Sequence, residues 1–111
     1  MDQLNRYREI VRRLIEEYAS YKPAYGDIRT EAVVDREHDH YEVMQVGWND
    51  GQRVHGSIIH IDIRDGKVWI EYNGTDARLA EELVAAGISR SDIVLGFQPA
   101  ELRPLTSYGV A

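Results

Sequence analysis

The chain has 111 residues, of which 43% are hydrophobic and 29% are charged, and this mixture is typical of a single globular domain, here residues 1–111. The absence of cysteine excludes disulfides, thiolate metal sites and cysteine nucleophiles. The formal net charge of −6 disfavours a stand-alone DNA-binding domain, because phosphates attract positive surfaces. Neither an apolar signal segment nor an apolar run of membrane-spanning length occurs, so we expect a cytoplasmic protein with no membrane partner.

The first predicted element is a helix over residues 2–20. Asp2 lies where a capping side chain is favoured, and Pro23 and Gly26 follow the expected end of the helix. Apolar residues recur at the spacing of one helix face, at Leu4, Tyr7, Val11, Leu14 and Tyr18. This pattern predicts a helix that packs one face against the domain.

The same helix carries a basic patch, formed by Arg6, Arg8, Arg12 and Arg13. One interpretation is contact with phosphates, which would make the chain a direct DNA-binding factor. The acidic residues nearby, such as Glu9 four positions before Arg13, favour a solvated face of ion pairs instead. We therefore expect no direct nucleic-acid binding and keep the arginine face as the alternative.

Four strands are predicted after the helix, over residues 28–35, 41–48, 53–64 and 67–72. The turns between the later strands are short, and sequential strands joined in this way form an antiparallel meander. Asp65-Gly66 predicts a two-residue type I′ turn, because both central residues of that turn need positive φ. The Asn-Asp-Gly turn at 49–51 leaves the register of its own hairpin open.

The Asp65-Gly66 turn predicts which residues of its two strands face each other. Asp62 is expected opposite Trp69, and His60 opposite Glu71. One face, expected in the core, consists of Ile59, Ile61, Ile63, Val68, Ile70 and Tyr72. The other, expected to face solvent, consists of His60, Asp62, Arg64, Lys67, Trp69 and Glu71. Because general acid–base catalysis needs a cleft, this exposed setting disfavours a catalytic role for His60 or Asp62.

A second helix is predicted over residues 76–86, with Thr75 as its N-cap and Gly87 at its end. Residues 93–97 are expected to form a short buried strand or extended segment. The fold class is therefore α+β: an antiparallel sheet of about four strands, with both helices packed on one face.

Trp69 is the large aromatic residue of the charged sheet face, with Ile58 expected on the same side, so we predict that this face is partly covered. The C-terminal tail contains Pro99 and Pro104, which disfavour a helix. It is also too apolar for a free tail, with Leu102, Leu105 and Tyr108. We expect the tail to lie over the domain or against a second copy, and we predict a homo-oligomer.

Three histidines raise the alternative of a small metal-dependent enzyme. His38 and His40 lie two residues apart, where imidazoles of a strand can share a metal ion, and His60 lies in the third strand. Because no spacing fixes a third ligand, we interpret residues 35–41 as a polar loop and expect no metal or other cofactor. Walker A, G-x-S-x-G and H-E-x-x-H motifs are also absent, so we expect a protein that is not an enzyme.

Three long segments together resemble a known family, although no single motif in them is specific to it. They are YREIVRRLIEEYASYKPAYGD at residues 7–27, DREHDHYEVMQVGWNDGQRVHGSIIHIDIRDGKVWIEYNGTD at 35–76 and LVAAGISRSDIVLGFQP at 83–99. In these segments the chain resembles the XisI family, the fdxN element excision controlling factors of cyanobacteria, over essentially its full length.

The resemblance implies an accessory factor for programmed excision of a DNA element during heterocyst differentiation. It also implies that a separate site-specific recombinase exchanges the strands and that a second small factor, XisH, acts alongside. The family supplies no catalytic residue to transfer. We therefore expect a regulator without catalytic activity that works through an XisH-like protein and, indirectly, a recombinase.

Overall fold

The computed structural model describes residues 2–111; Met1, which the predicted domain includes, lies outside them. The first helix, α1, spans Gln3–Ala19, and the Asp2 carboxylate accepts a hydrogen bond of 2.8 Å from the Asn5 backbone N–H. This contact is the N-cap that the sequence predicts, because the first N–H groups of a helix have no partner within it. The buried face of α1 consists of Tyr7, Val11, Leu14 and Ile15.

A five-stranded sheet follows in the order β1-β2-β3-β4-β5. The strands are β1 Asp27–Asp35, β2 His40–Asn49, β3 Gln52–Arg64, β4 Lys67–Asn73 and β5 Ile93–Leu95. The first four form the predicted antiparallel meander, whereas β5 pairs parallel to β4. The sheet is therefore mixed, because the connection from β4 to β5 passes through a helix and returns the chain in the same direction.

Both tight hairpins have the geometry of type I′ turns. Asp50 and Gly51 have φ values of 50° and 77°, and Asp65 and Gly66 have 52° and 77°. The first turn pairs Asn49 with Gln52, which settles the register that the sequence leaves open.

One face of the sheet packs against α1 and against the second helix, α2, which spans Leu79–Ala86. The two helices thus lie on one face, as predicted. The core between the layers consists of Tyr7, Val11, Leu14, Ile15, Tyr41, Val43, Ile59, Ile61, Ile63, Val68, Ile70, Leu79, Leu83, Ile88 and Ile93. The opposite face of the sheet, here called the outer face, carries His40, His60, Asp62 and Trp69.

Because of two β-bulges, the structure differs from the prediction in which side chains lie opposite each other and which face they occupy. Between His60 and Ile61 the pairing of β3 with β4 shifts, so His60 lies opposite Tyr72 and not Glu71. Tyr72 is consequently half exposed and does not belong to the core. A second shift lies beside Met44, in the pairing of β2 with β3. Ile58, predicted to lie on the same side of the sheet as Trp69, instead packs against the core and lines a groove with Tyr18.

The second helix begins later than predicted, at Leu79. Thr75 is not its N-cap, because the Thr75 hydroxyl accepts from the Ala77 N–H at 3.1 Å and donates to Asn73 Oδ1 at 2.7 Å. These bonds form a turn between β4 and α2 and compete with helix formation at residues 76–78. Gly87 ends the helix with a φ of 122°, as the sequence predicts.

The tail forms a 3₁₀ helix over Ala100–Leu105, although its prolines predict no helix. The turn bonds run from the Leu102 N–H to the Pro99 carbonyl and from the Thr106 N–H to the Arg103 carbonyl. Pro104 therefore occupies a position where its missing N–H removes no bond of this short helix. Among residues 2–111, no helix is long and apolar enough to cross a membrane.

Candidate functional site

A histidine–carboxylate cluster lies on the outer face of the sheet. Its members are His40 from β2 and His60 and Asp62 from β3, hereafter the outer-face triad. The sheet register places His40 directly opposite Asp62, and the pleat places His60 and Asp62 on the same face. His40 Nδ1 and His60 Nε2 both lie 2.8 Å from Asp62 Oδ1.

The sequence predicts that Asp62 faces solvent. In the structure it is only 7% exposed. It lies on the central strand of the sheet, between His40 on one neighbouring strand and Trp69 on the other. A carboxylate in this position needs partners, since burial of an unpaired charge is unfavourable. The hydrogen bond between His40 and Asp62 raises the pKa of His40 above its ordinary value.

The third histidine of the predicted set, His38, does not join the triad. It lies in the loop between β1 and β2, where its Nδ1 is 2.9 Å from Asp35 Oδ2. The His38 backbone N–H also donates to the Asp35 carboxylate, and these bonds lower the pKa of that carboxyl. The structure thus brings Asp62, and not His38, together with His40 and His60. The sequence pairs Asp62 with His60 along one strand, but it does not show the pairing with His40, which comes from another strand.

The four arginines of α1 are engaged in contacts within the chain. Arg12 pairs with Glu9 and Glu16, and Arg13 Nε lies 3.3 Å from Glu9 Oε1. Arg6 donates to the Gly87 carbonyl at 3.3 Å. These contacts match the ion-paired interpretation of the helix face more closely than a free phosphate-binding surface.

Arg8 belongs to a different contact, at the turn between β1 and β2. Its guanidinium donates to both carboxylate oxygens of Asp39, at 2.9 and 3.0 Å, and the Tyr41 hydroxyl donates to Asp39 Oδ1 at 2.9 Å. Asp39 itself has a φ of 58°. The bidentate pair anchors α1 to the sheet.

Trp69 is partly covered by the chain's own tail. The Arg64 guanidinium lies 3.9 Å from the centre of its ring and that of Arg103, from the tail, lies at 5.1 Å. Of the other predicted interface residues, Tyr108 packs against the core, whereas Leu102 and Leu105 are exposed. The five candidates, Ile58 included, therefore do not form one continuous patch.

The whole chain matches a single protein family. The model of the XisI protein family covers residues 1–110. The chain belongs to the XisI family. The resemblance seen in the sequence is thereby confirmed.

Two solved structures resemble this XisI-family chain over nearly their full lengths. An XisI-like protein from Anabaena variabilis has 44% sequence identity to this chain and a TM-score of 0.92. The match covers 97% of this chain and 99% of that one. The fdxN element excision controlling factor XisI from the same organism has 32% identity and a TM-score of 0.82, covering 99% and 100%. Among curated proteins compared with the chain, none matches. The α+β fold predicted from the sequence is the fold of the family.

Proposed function

We propose that this XisI-family chain is an accessory factor without catalytic activity, which controls site-specific excision of a DNA element by binding a protein partner. The observation that carries the proposal is the end-to-end similarity to the excision controlling factor XisI. Two proteins of the same fold need not share a role, but similarity in both sequence and fold over the full chain supports a shared mode of action more than fold alone does.

The charge distribution supports action through a protein and not through DNA. The net charge is −6, and the arginines of α1 contact carboxylates or a carbonyl of the same chain. Neutralising DNA phosphates would require breaking these pairs. We propose an XisH-like protein as the partner and a site-specific recombinase as the indirect one.

Exposed apolar side chains of the tail provide a surface for such a partner. Leu105 is 82% exposed, and Leu102 and Phe97 are each about half exposed. An exposed apolar patch formed by such side chains would mark an interaction site, because free surfaces of monomeric proteins rarely carry large ones. The same surface would serve the homo-oligomer that we also propose.

Co-expression with the XisH-like protein of the same genome tests the proposal. We expect the two proteins to co-purify as a complex of defined mass by light scattering. Leu105→Glu should weaken the complex, because it places a charge in the apolar contact. Tyr25→Glu is the matched control, since Tyr25 is also exposed but lies in the loop after α1, on a different segment. Two proteins that elute separately at micromolar concentrations would contradict the partner role.

A further inference from the structure

The outer-face triad has the composition of a metal site. Two imidazoles and one carboxylate are the ligand types that zinc and neighbouring divalent transition metals take in proteins. Calcium and magnesium, by contrast, prefer sets made of oxygen alone. We propose that His40, His60 and Asp62 form a binding site for one divalent transition-metal ion of the zinc type.

The ligand atoms converge from two adjacent strands. His40 Nδ1, His60 Nε2 and the Asp62 carboxylate oxygen all lie within 4.8 Å of one another, and both imidazole nitrogens are 2.8 Å from the same oxygen. In a tetrahedral zinc site with bonds of about 2.1 Å, ligand atoms are about 3.4 Å apart. Small rotations of the two rings therefore open enough space for an ion between the three atoms.

The site is held by the regular part of the fold. His40 and Asp62 form a cross-strand pair in the β2–β3 ladder, and Asp62 is about nine-tenths buried at its side chain. Its carboxylate therefore has a fixed position, toward which both rings already point. A metal ion would take the place of any proton on the two ring nitrogens, so its binding should weaken as pH falls.

The surrounding charges favour a cation. Besides Asp62, the carboxylate of Asp35 lies on the neighbouring strand, directly opposite His40 in the sheet register. Glu42 lies directly opposite His60 in the sheet register. A bound divalent ion would thus sit in a negative field, which strengthens the attraction to it.

The site leaves coordination positions open. The side chains of His40 and His60 are 55% and 33% exposed, so the side of the cluster away from Asp62 faces solvent. Water, or a side chain from another molecule, would complete the coordination there. Three protein ligands with an open fourth position distinguish such a site from a closed structural zinc site.

Metal titration of the untagged, chelator-treated chain tests this assignment. We expect Zn²⁺ to bind with a stoichiometry of one per chain by calorimetry, and Co²⁺ to give a saturable visible spectrum. His40→Ala and His60→Ala should each weaken binding at least about tenfold, since each removes a ligand. His38→Ala should leave it unchanged. His38 is the matched control because it has the same kind of contact with a carboxylate, Asp35, but lies outside the triad.

Nuclear magnetic resonance of the wild-type chain gives a second readout that needs no variant. Bound Co²⁺ should shift or broaden the ring signals of His40 and His60 much more than those of the other two histidines, His38 and His55, because paramagnetic effects fall steeply with distance from the ion. The proposal is overturned if no saturable binding occurs, or if His38→Ala weakens binding as much as His40→Ala. It is also overturned if Co²⁺ affects the four histidines alike, because that result means diffuse surface binding.

Discussion

At the residue scale, two glycines of the sheet differ in how much space the fold leaves for a side chain. A Cβ on Gly47 would lie 2.0 Å from the Asp27 carbonyl oxygen and 2.7 Å from the Ile28 Cα, both backbone atoms of the neighbouring strand β1. A Cβ on Gly56, in β3, would meet nothing within 4 Å. Both glycines lie in the β2–β3 hairpin, so they form a natural pair for comparison.

We expect Gly47→Ala to destabilise the chain by about 1–3 kcal/mol, because strand β1 must move away from β2 to admit the methyl group. Gly56→Ala should change the free energy of unfolding by less than about 1 kcal/mol. Urea denaturation followed by circular dichroism measures both values. Equal effects of the two substitutions would mean that β1 does not pack on β2 in the way described.

Tyr41 is another informative residue. It is buried beneath the contact between Arg8 and Asp39, and burial, together with its hydrogen bond to Asp39, raises the pKa of its hydroxyl well above the ordinary value of 10.0. Well below pH 9 the hydroxyl is neutral in both the folded and the unfolded chain. Above it, the unfolded chain releases the proton first, so stability falls as pH rises towards the folded pKa.

We therefore expect the free energy of unfolding of the wild-type chain to fall between pH 9 and pH 11, and Tyr41→Phe to make that fall shallower. At pH 7 the same variant should lose about 1 kcal/mol through its missing hydrogen bond. Urea melts at several pH values test both statements. Parallel pH profiles for the two proteins would show that Tyr41 ionises with its ordinary pKa.

At the element scale, the turns and the alternation of side chains predict most of the sheet. Asp65-Gly66 fixes the pairing from Arg64–Lys67 to Ile61–Ile70 because a type I′ turn permits one register only. The predicted pairing is wrong from His60 towards the start of β3, because a bulge between His60 and Ile61 changes the register. A bulge is stabilised by packing and cross-strand partners that are distant in sequence, and no local pattern of β3 or β4 marks it.

The same reason limits what the sequence says about the triad. His40 and His60 lie twenty residues apart, and their meeting at Asp62 depends on the register of β2 against β3. The Asn-Asp-Gly turn at 49–51 leaves that register open, so the pairing of His40 with Asp62 could not be derived. The tail is a similar case, because the contact of Arg103 with Trp69 and the bond from Gly109 to Ile93 join residues distant in sequence.

The contacts that dock the tail on the sheet include a backbone hydrogen bond and a contact with Trp69. The Gly109 N–H donates to the Ile93 carbonyl at 2.7 Å, and the Arg103 guanidinium lies over Trp69. A Cβ on Gly109 would lie 2.4 Å from the Ser91 carbonyl oxygen. Substitution at this glycine therefore separates the tail from the domain without altering any side chain of the sheet.

We expect Gly109→Ala to release the tail, so that Trp69 becomes more accessible to acrylamide quenching and residues 98–108 are cleaved faster by protease. A Trp48→Phe background isolates the Trp69 signal, since the chain has two tryptophans. Leu105→Ala is the control, because that side chain is already exposed. If Gly109→Ala leaves quenching and cleavage unchanged, the tail is not held at Gly109.

At the scale of the whole molecule, charge separates two ways of reaching DNA. With 19 acidic and 13 basic residues, the chain repels a polyanion at long range, and only a local basic surface could overcome this. The arginines of α1 were the candidate surface in the sequence. Arg12 and Arg13 share Glu9, and Arg8 is bound to Asp39, so few positive charges of the helix remain without a nearby carboxylate.

We therefore expect the isolated chain to cause no gel shift of duplex DNA even at low salt, where electrostatic binding is strongest. Arg13→Glu should change nothing, and Arg13 is the suitable probe because it is more exposed than Arg8 and its loss breaks only a surface pair. A shift that disappears with added salt and in Arg13→Glu would instead make the helix face a DNA contact. If the chain shifts DNA only when an XisH-like protein is present, DNA binding requires the partner, which is the result expected of a chain that reaches DNA through another protein.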